Sequence, residues 1–260
     1  HGAGISFMLD DGADDHSPGA SLDCAHQFDA SCETCRLRAL CIPAALEVDE
    51  IAALETIIDY RRIVKASLHL YRAGQQFTAI YAIISGAVKT YRSYGDGRTC
   101  VTGCYLPGEL FGFSGINEDS YAVDAVALLD TCVCEIPFDN LEAVCRTVPG
   151  LQNRILHLMS HRIIDYQIHL DGLRWANPAQ SRLAAFLISL SSRAARRGES
   201  SMTIRLPMTG QDIGNYLGIS AEGVSRAFAA LVSSGAITKR SRDVAIRDMQ
   251  QLRHLVCSMA

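Results

Sequence analysis

The sequence predicts an α+β protein in which a β-rich region is followed by one long helix and then by a compact helical region. Short β-type runs separated by glycine turns occupy residues 63–138. Hydrophobic residues recur every three or four positions from residue 156 to residue 173, as expected for a long amphipathic helix. Two short helix patterns joined by a glycine turn lie nearer the C-terminal end.

Length and composition exclude several classes of protein. The 260 residues suffice for about two domains, and no apolar run approaches the ~20 residues that a membrane span needs. The first residues lack the basic and apolar parts of a signal peptide, so we expect a cytoplasmic protein. In a reducing cytosol, ten cysteines favour metal or redox chemistry over disulfides. Dinucleotide, phosphate-loop and zinc-protease motifs are absent from the sequence, which argues against an enzyme.

The charge is distributed unevenly along the chain. The net charge is −4, but residues 1–50 carry two basic and ten acidic side chains, whereas residues 177–260 carry eleven basic and five acidic ones. An acidic head and a basic C-terminal region predict that the C-terminal region contacts a polyanion. A merely solvated basic surface is the alternative.

The β-rich region is built from short runs such as Leu68–Tyr71, Ile80–Ile84 and Val88–Tyr91. Glycine turns, including Ser85-Gly86 and Pro107-Gly108, separate them. Frequent short strands with glycine corners are typical of a sandwich, roll or barrel. The segment before it, up to about Pro43, has little periodic hydrophobicity, so we expect it to need a metal or another cross-link to be held in place.

The long helix carries an apolar stripe at the spacing of a coiled-coil seam. The stripe consists of Leu156, Met159, Ile163, Tyr166 and Leu170. This spacing predicts a dimer seam of about two and a half heptads. The alternative is that the stripe packs on the β region of its own chain.

The C-terminal region has the pattern of a helix-turn-helix. Thr209 is placed to cap a first helix that Gly218 ends, and Ser220 is placed to cap a second helix. Beyond them, residues 236–246 read as two short strands around a basic tip, which is typical of a wing.

The second helix presents three polar residues that suit base readout. Glu222, Ser225 and Arg226 fall on its outward N-terminal half, where such helices meet base edges in the major groove. Arginine donates two hydrogen bonds to guanine, and glutamate accepts from cytosine. The alternative is a surface ion pair between Glu222 and Arg226, worth only a few tenths of a kcal/mol.

The cysteines are spaced as metal ligands. Cys32, Cys35 and Cys41 place three soft thiolates within ten residues, as iron-sulfur clusters and zinc require. A fourth ligand is needed. Cys24 would complete a local four-cysteine zinc site, which is the alternative to a cluster.

Six motifs occur together in this chain: Cys41-Ile-Pro, Tyr81-Ala-Ile, Cys134-Glu-Ile-Pro-Phe138, Leu158-Met-Ser160, Arg182-Leu-Ala-Ala-Phe186 and Asp212-Ile-Gly-Asn-Tyr-Leu-Gly218. In these motifs the chain resembles the FNR-type oxygen sensors of the Crp/Fnr family of transcription regulators, from about Cys32 onward. The resemblance implies an acidic cysteine-bearing head (1–50), a cyclic-nucleotide-binding-like β-roll sensor domain (51–148), a dimerisation helix (149–175) and a winged helix-turn-helix domain (176–260).

The resemblance also implies a cofactor and a mechanism. Cys134 is implied as the remote fourth ligand of a [4Fe-4S] cluster, although Cys132 faces the same side of its strand. In FNR-type proteins the cluster favours a homodimer without oxygen, and oxygen destroys the cluster and releases monomers. Such proteins commonly carry a repulsive aspartate in the seam. Here Tyr166 takes that position, with Asp165 beside it, which predicts a more persistent dimer without the cluster.

The remaining expectations concern partners. The resemblance implies a palindromic DNA operator with half-sites of the TTGAT type, read by Glu222, Ser225 and Arg226, and a contact with RNA polymerase. The Gly108-Glu109-Leu110 turn of the cyclic-nucleotide branch is present, but Asp119-Ser120-Tyr121-Ala122 lacks its phosphate-binding arginine, so we expect no cyclic nucleotide. A regulator of the same fold that uses zinc or cysteine oxidation is the alternative.

Overall fold

A computed structural model of the chain describes residues 31–58, 60–174 and 178–257. The strands are β1 Tyr60–Val64, β2 His69–Tyr71, β3 Ala79–Ser85, β4 Val88–Ser93, β5 Thr99–Tyr105, β6 Leu110–Phe111, β7 Asp124–Ala127, β8 Thr131–Pro137, β9 Thr203–Arg205, β10 Ile237–Arg240 and β11 Asp243–Ile246. The helices are α1 Val48–Glu55, α2 Phe138–Cys145, α3 Pro149–Arg174, α4 Ala179–Arg196, α5 Gly210–Leu217, α6 Ala221–Ser233 and α7 Met249–Cys257. The predicted order of a β-rich region, a long helix and a helical region is confirmed.

The β-rich region is a roll of two four-stranded antiparallel sheets, ordered β1-β8-β3-β6 and β2-β7-β4-β5. Aromatic rings fill its interior, where Tyr71 and Tyr121 stack with their centroids 3.7 Å apart. The predicted turn at Gly86 needs glycine, because its φ is 87° and a Cβ there would lie 2.7 Å from the Asp130 carbonyl oxygen. The predicted class of β domain is therefore confirmed.

The head packs more extensively than its sequence predicts. A 3-10 helix at Ile42–Ala45 leads into α1, and Ile42, Ile51 and Leu54 are at most 2% exposed. These side chains share one apolar cluster with residues of the roll, α2 and α3. That the segment up to about Pro43 needs a metal or another cross-link to be held in place stays a prediction. The domain boundary expected at residue 50 also falls inside α1.

The long helix α3 coincides with the predicted dimerisation helix, since it runs from Pro149 to Arg174. Its first turns bury Leu151 and Ile155 against the head. The end of the predicted segment, residue 175, lies outside the described residues.

The C-terminal region is a winged helix-turn-helix, as predicted. The three antiparallel strands β10-β11-β9 form the wing sheet. The wing strands are longer than predicted, so that only Ser241 and Arg242 remain in the turn, and the sequence did not predict β9. Ser241 adopts a positive φ of 53° in this tight turn.

The roll and the winged domain pack against each other. Ala87, Val101, Cys104 and Leu106 of the roll belong to the same apolar cluster as α4, α5 and α6. Among the described residues, no helix combines the length and the apolar character needed to cross a membrane.

Candidate cysteine site and DNA-binding surface

Four cysteines from distant parts of the chain line one pocket between the head and the roll. They are Cys32, Cys35, Cys41 and Cys134. The remaining lining is largely apolar and includes Leu37, Ile42, Pro43, Leu54, Ala82 and Ile136. The structure thus brings together all four predicted ligands.

Backbone structure positions each of these thiols. Cys134 lies on β8, where its register partners are Arg61 on β1 and Ala82 on β3. The other three lie on the cysteine loop, residues 32–41, which is folded by local turns such as the 3.0 Å hydrogen bond from the Cys41 N–H to the Leu37 carbonyl oxygen. The Cys32 N–H donates to the Glu55 carboxylate, which fixes the start of the loop against α1.

The thiols are buried, and burial shifts their acidity. Burial raises the pKa of Cys32 and of Cys41 to about 12, and neighbouring cysteines add to the shift. Burial also raises the pKa of Cys134, while a hydrogen bond from Arg61 opposes the shift. A metal that binds here must displace thiol protons, and the nearby guanidinium offsets part of the resulting negative charge.

The four thiols are the donor set that a [4Fe-4S] cluster requires. Zinc needs four ligands about 2.3 Å from one centre. Among the described residues, no three His, Cys, Asp or Glu side chains converge closely enough to hold one ion. In a [4Fe-4S] cluster each cysteine binds a different iron, so the sulfurs stand further apart around one pocket.

Cys132 and Cys24 are the two alternatives to the predicted ligands, and neither is seen to line the pocket in the described part of the chain. Cys132 is fully buried beside Ile84, and the pocket is lined by Cys134 instead. Cys24 lies outside the described residues. The preference for Cys134 over Cys132 therefore agrees with the geometry.

Arg154 of α3 holds the cysteine loop from the other side. Its Nη2 donates to the carbonyl oxygens of Cys41 and Leu40, at 2.8 and 3.2 Å, and its Nε lies 3.3 Å from the Cys41 oxygen. The sequence gave no signal for this contact, because it joins residues more than a hundred positions apart.

The two helices of the DNA-binding surface, α5 and α6, begin at the predicted capping residues. The Thr209 hydroxyl accepts from the Asp212 N–H, and the Ser220 hydroxyl accepts from the Gly223 N–H. Gly218 ends α5 in the left-handed region, with φ 65°. Arg182 of α4 donates to the Leu217 carbonyl oxygen at 3.0 Å, which ties the turn to the rest of the domain.

The three predicted base-reading residues, Glu222, Ser225 and Arg226, are all exposed on the first turns of α6. The Arg226 guanidinium lies 2.5 Å from the Glu222 carboxylate. Because both side chains remain more than two thirds exposed, this pair is weak and does not prevent base contacts. The basic wing residues Lys239 and Arg240 are exposed as well.

Comparison with known proteins agrees with this geometry. Residues 181–255 match the Crp-like helix-turn-helix domain, and residues 61–148 match the cyclic nucleotide-binding domain. The transcriptional activator protein Anr of Pseudomonas aeruginosa is 38% identical over 89% of this chain and 93% of its own length. The fumarate and nitrate reduction regulatory protein of Yersinia pestis is 37% identical over 86% of this chain and 89% of its own length.

The chain belongs to the Crp/Fnr family. This Crp/Fnr protein is a DNA-binding transcription regulator, and its relatives are regulators and not enzymes. FixK2 of Bradyrhizobium japonicum shares the fold with a TM-score of 0.70 at 26% identity, over 75% of this chain and 96% of that chain.

In this Crp/Fnr protein the predicted seam is largely uncovered. Leu156, Ile163 and Tyr166 are 57%, 58% and 50% exposed, while Met159 and Leu170 are half-buried. Exposed apolar side chains at this spacing do not pack on their own chain, which disfavours the alternative of an intrachain stripe. Asp165 turns to the side, where its carboxylate lies 3.9 Å from Arg162.

The Gly108-Glu109-Leu110 turn of this Crp/Fnr protein makes a contact with the DNA-binding domain. Both carboxylate oxygens of Glu109 accept from Arg193 of α4, at 2.6 and 2.5 Å. Burial by itself raises the pKa of Glu109, but the charge and hydrogen bonds of Arg193 outweigh it and hold the pKa below its ordinary value. A second contact joins Lys89 of the roll to Asp212 of α5 at 2.5 Å. Sequence reasoning missed both interdomain pairs.

Proposed function

We propose that this protein is an oxygen-responsive transcription regulator of anaerobic metabolism, and that it acts as a homodimer when Cys32, Cys35, Cys41 and Cys134 hold a [4Fe-4S] cluster. The observation that carries the proposal is the convergence of these four cysteines on one apolar pocket. A cluster bound there supplies the oxygen-sensitive element, because its iron and sulfide are open to oxidation.

The contacts of the chain link this pocket to the dimer seam. Arg154 donates hydrogen bonds to carbonyl groups of the cysteine loop. Leu156, the first residue of the seam, lies two positions further along α3. Ordering of the cysteine loop therefore stabilises the start of the seam helix. To shift a dimer equilibrium decisively, this coupling must amount to several kcal/mol.

The seam residues support a homodimer. Leu156, Met159, Ile163, Tyr166 and Leu170 offer an apolar stripe that a second copy of α3 would cover. Tyr166 buries apolar area in place of the aspartate that is common in FNR-type seams. The dimer without metal is therefore expected to be more persistent than in those proteins.

The symmetry of the dimer predicts a palindromic operator, and the exposed residues of α6 predict which bases are read. Two copies of α6 in a symmetric dimer read two half-sites whose centres lie about one helical turn apart. We assign Arg226 to the guanine of a TTGAT-type half-site, Glu222 to the cytosine that pairs with it and Ser225 to a neighbouring base. The wing residues Lys239 and Arg240 contact phosphates.

The remaining parts of the proposal concern cyclic nucleotides, RNA polymerase and the cellular location of the protein. The Glu109 carboxylate is occupied by Arg193, which supports a regulator without a cyclic nucleotide. RNA polymerase is the partner through which a bound dimer would activate transcription. With these two partners, we expect the protein in the cytoplasm.

Operator binding with and without air tests the proposal. Anaerobically reconstituted protein should bind a labelled TTGAT palindrome at least tenfold more tightly than a duplex with scrambled half-sites, and a brief exposure to air should abolish the difference. Equal binding before and after air, by a protein that contains zinc, would favour the alternative of a zinc regulator.

A further inference from the structure

A basic cavity of about 220 Å³ lies where the head, the roll, α3 and α4 meet. Leu40 of the head and the Pro107–Leu110 turn of the roll form one side, and Phe113 and Leu158 add apolar surface. The cavity is separate from the cysteine pocket and from the DNA-binding face.

Arginines dominate the lining of this cavity. They are Arg154, Arg162, Arg193, Arg196 and Arg197. The carboxylates of the lining belong to Glu109 and Asp165.

These carboxylates do not neutralise the cavity. Both oxygens of Glu109 are taken by Arg193, and Asp165 lies at a loose 3.9 Å from Arg162. Arg197 pairs with Glu199 at 2.7 Å, outside the lining. Among the described residues, Arg196 has no carboxylate within ion-pair distance, so the cavity keeps an excess of positive charge.

The cavity does not compete with the dimer seam. Its α3 residues, Arg154, Leu158, His161, Arg162 and Asp165, are spaced by four, three, one and three positions, so they form a single stripe of the helix. The seam residues form the neighbouring stripe. A second copy bound along the seam therefore leaves this cavity to its own chain.

We propose that this cavity binds a compact polyanion that carries at least two negative charges, such as a diphosphate or a small phosphorylated acid. Planar guanidinium groups from two helices suit phosphate oxygens, which they bind in pairs. The volume lies below the roughly 300–1,000 Å³ of pockets for drug-sized ligands, so a compact ligand suits the cavity better than a large one. Because the arginines come from both α3 and α4, a bound polyanion would tie the dimerisation helix to the DNA-binding domain. It would do so beside the cysteine loop, since Arg154 also holds the carbonyl groups of Leu40 and Cys41.

Titration of the full-length chain with inorganic pyrophosphate at constant ionic strength tests this site. We expect saturable one-to-one binding, with inorganic phosphate binding more weakly. The double variant Arg196→Gln/His161→Gln removes an exposed arginine and an exposed histidine of the lining and should weaken binding by roughly tenfold or more, the effect of losing a charge-assisted hydrogen bond.

Two control variants that each replace a single arginine make the test decisive. Arg92→Gln on the roll and Arg240→Gln on the wing remove exposed arginines elsewhere and should leave pyrophosphate affinity unchanged. If the wing variant loses the affinity instead, the DNA-binding face is the site and the proposal is overturned. The absence of saturable binding by the unmodified chain, or equal affinity in the cavity variant, would overturn it too.

Discussion

The guanidinium of Arg154 lies 2.8 Å from the carbonyl oxygen of Cys41, so the dimerisation helix directly holds the last residue of the cysteine loop. A guanidinium that satisfies two adjacent carbonyl groups is a directional contact, and a lysine ammonium cannot reproduce its planar fork. The contact makes the geometry of the cysteine pocket depend on the position of α3.

Removal of this contact should disturb the cysteine loop more than it lowers the stability of the whole fold. We expect Arg154→Ala to lower the free energy of unfolding by about 2 kcal/mol, as hydrogen bonds from a charged group are lost. Iron retained after anaerobic reconstitution and gel filtration should fall several-fold. Arg146→Ala, which removes an exposed arginine paired only with Glu142 across one helical turn, is the matched control and should retain iron. Equal iron retention in both variants would show that Arg154 does not position the loop.

The assignment of the fourth ligand is tested by two alanine variants on one strand. Cys134→Ala should abolish iron and sulfide binding, because Cys134 lines the pocket with the other three cysteines. Cys132→Ala should keep full iron content and lose about 1 kcal/mol of stability, because Cys132 is a fully buried packing residue. The reverse pattern would assign the ligand to Cys132.

The Glu109–Arg193 pair should stabilise the packing of the two domains. Glu109→Gln leaves a largely buried arginine without its carboxylate, and we expect a loss of about 3 kcal/mol in thermal or urea unfolding at pH 7. Glu142→Gln, in an exposed pair, should cost less than about 0.5 kcal/mol.

The pH dependence of this contribution has a definite sign. The pKa of Glu109 is lowered in the folded protein, so its stabilisation is complete above the ordinary value of 4.5 and is lost as the pH falls through the folded pKa. The stabilities of the unmodified chain and of Glu109→Gln should therefore converge in acid. A constant difference at all pH values would contradict the assignment.

Much of the C-terminal domain could be predicted because its signals are local. Thr209, Gly218 and Ser220 cap or end helices through contacts within a few residues, and all three act as expected. The packing of the head was underestimated because its signals are not local. Ile42, Ile51 and Leu54 follow no single period, because a 3-10 helix and a short α-helix share the core they build.

Contacts between distant segments leave no trace in a single sequence. Arg154 with Cys41, Glu109 with Arg193 and Lys89 with Asp212 each join residues more than eighty positions apart. Their side-chain types are common on surfaces, so only the fold reveals them. The convergence of four cysteines could be predicted, because the spacing of Cys32, Cys35 and Cys41 and the motif around Cys134 distinguish them among the ten cysteines of the chain.

Base readout is tested at Arg226. Arg226→Ala should cost about 1–3 kcal/mol per half-site and should relax the preference for guanine at one position. Arg240→Ala on the wing should weaken binding to all sequences alike and lower the salt dependence by about one ion. Binding titrations against single-base operator variants at several salt concentrations separate the two effects. A uniform loss with Arg226→Ala would remove it from base recognition.

The placement of Tyr166 in the seam is tested by replacing it with a charged residue. Tyr166→Asp should raise the dimer dissociation constant of the metal-free protein at least tenfold, because two carboxylates would face each other in an apolar interface. Asp165→Asn is the control and should change it little, since Asp165 already pairs with Arg162 to the side of the stripe. Analytical ultracentrifugation measures both, and unchanged sedimentation of Tyr166→Asp would refute the placement of Tyr166 in the seam.

The most direct measurement is an anaerobic visible spectrum with iron and sulfide analysis, followed by a pulse of air while sedimentation is recorded. We predict a brown protein with about four irons per chain, whose colour bleaches in air as the dimer population falls. A colourless protein that contains zinc, with sedimentation unaffected by air, would contradict the proposed oxygen switch.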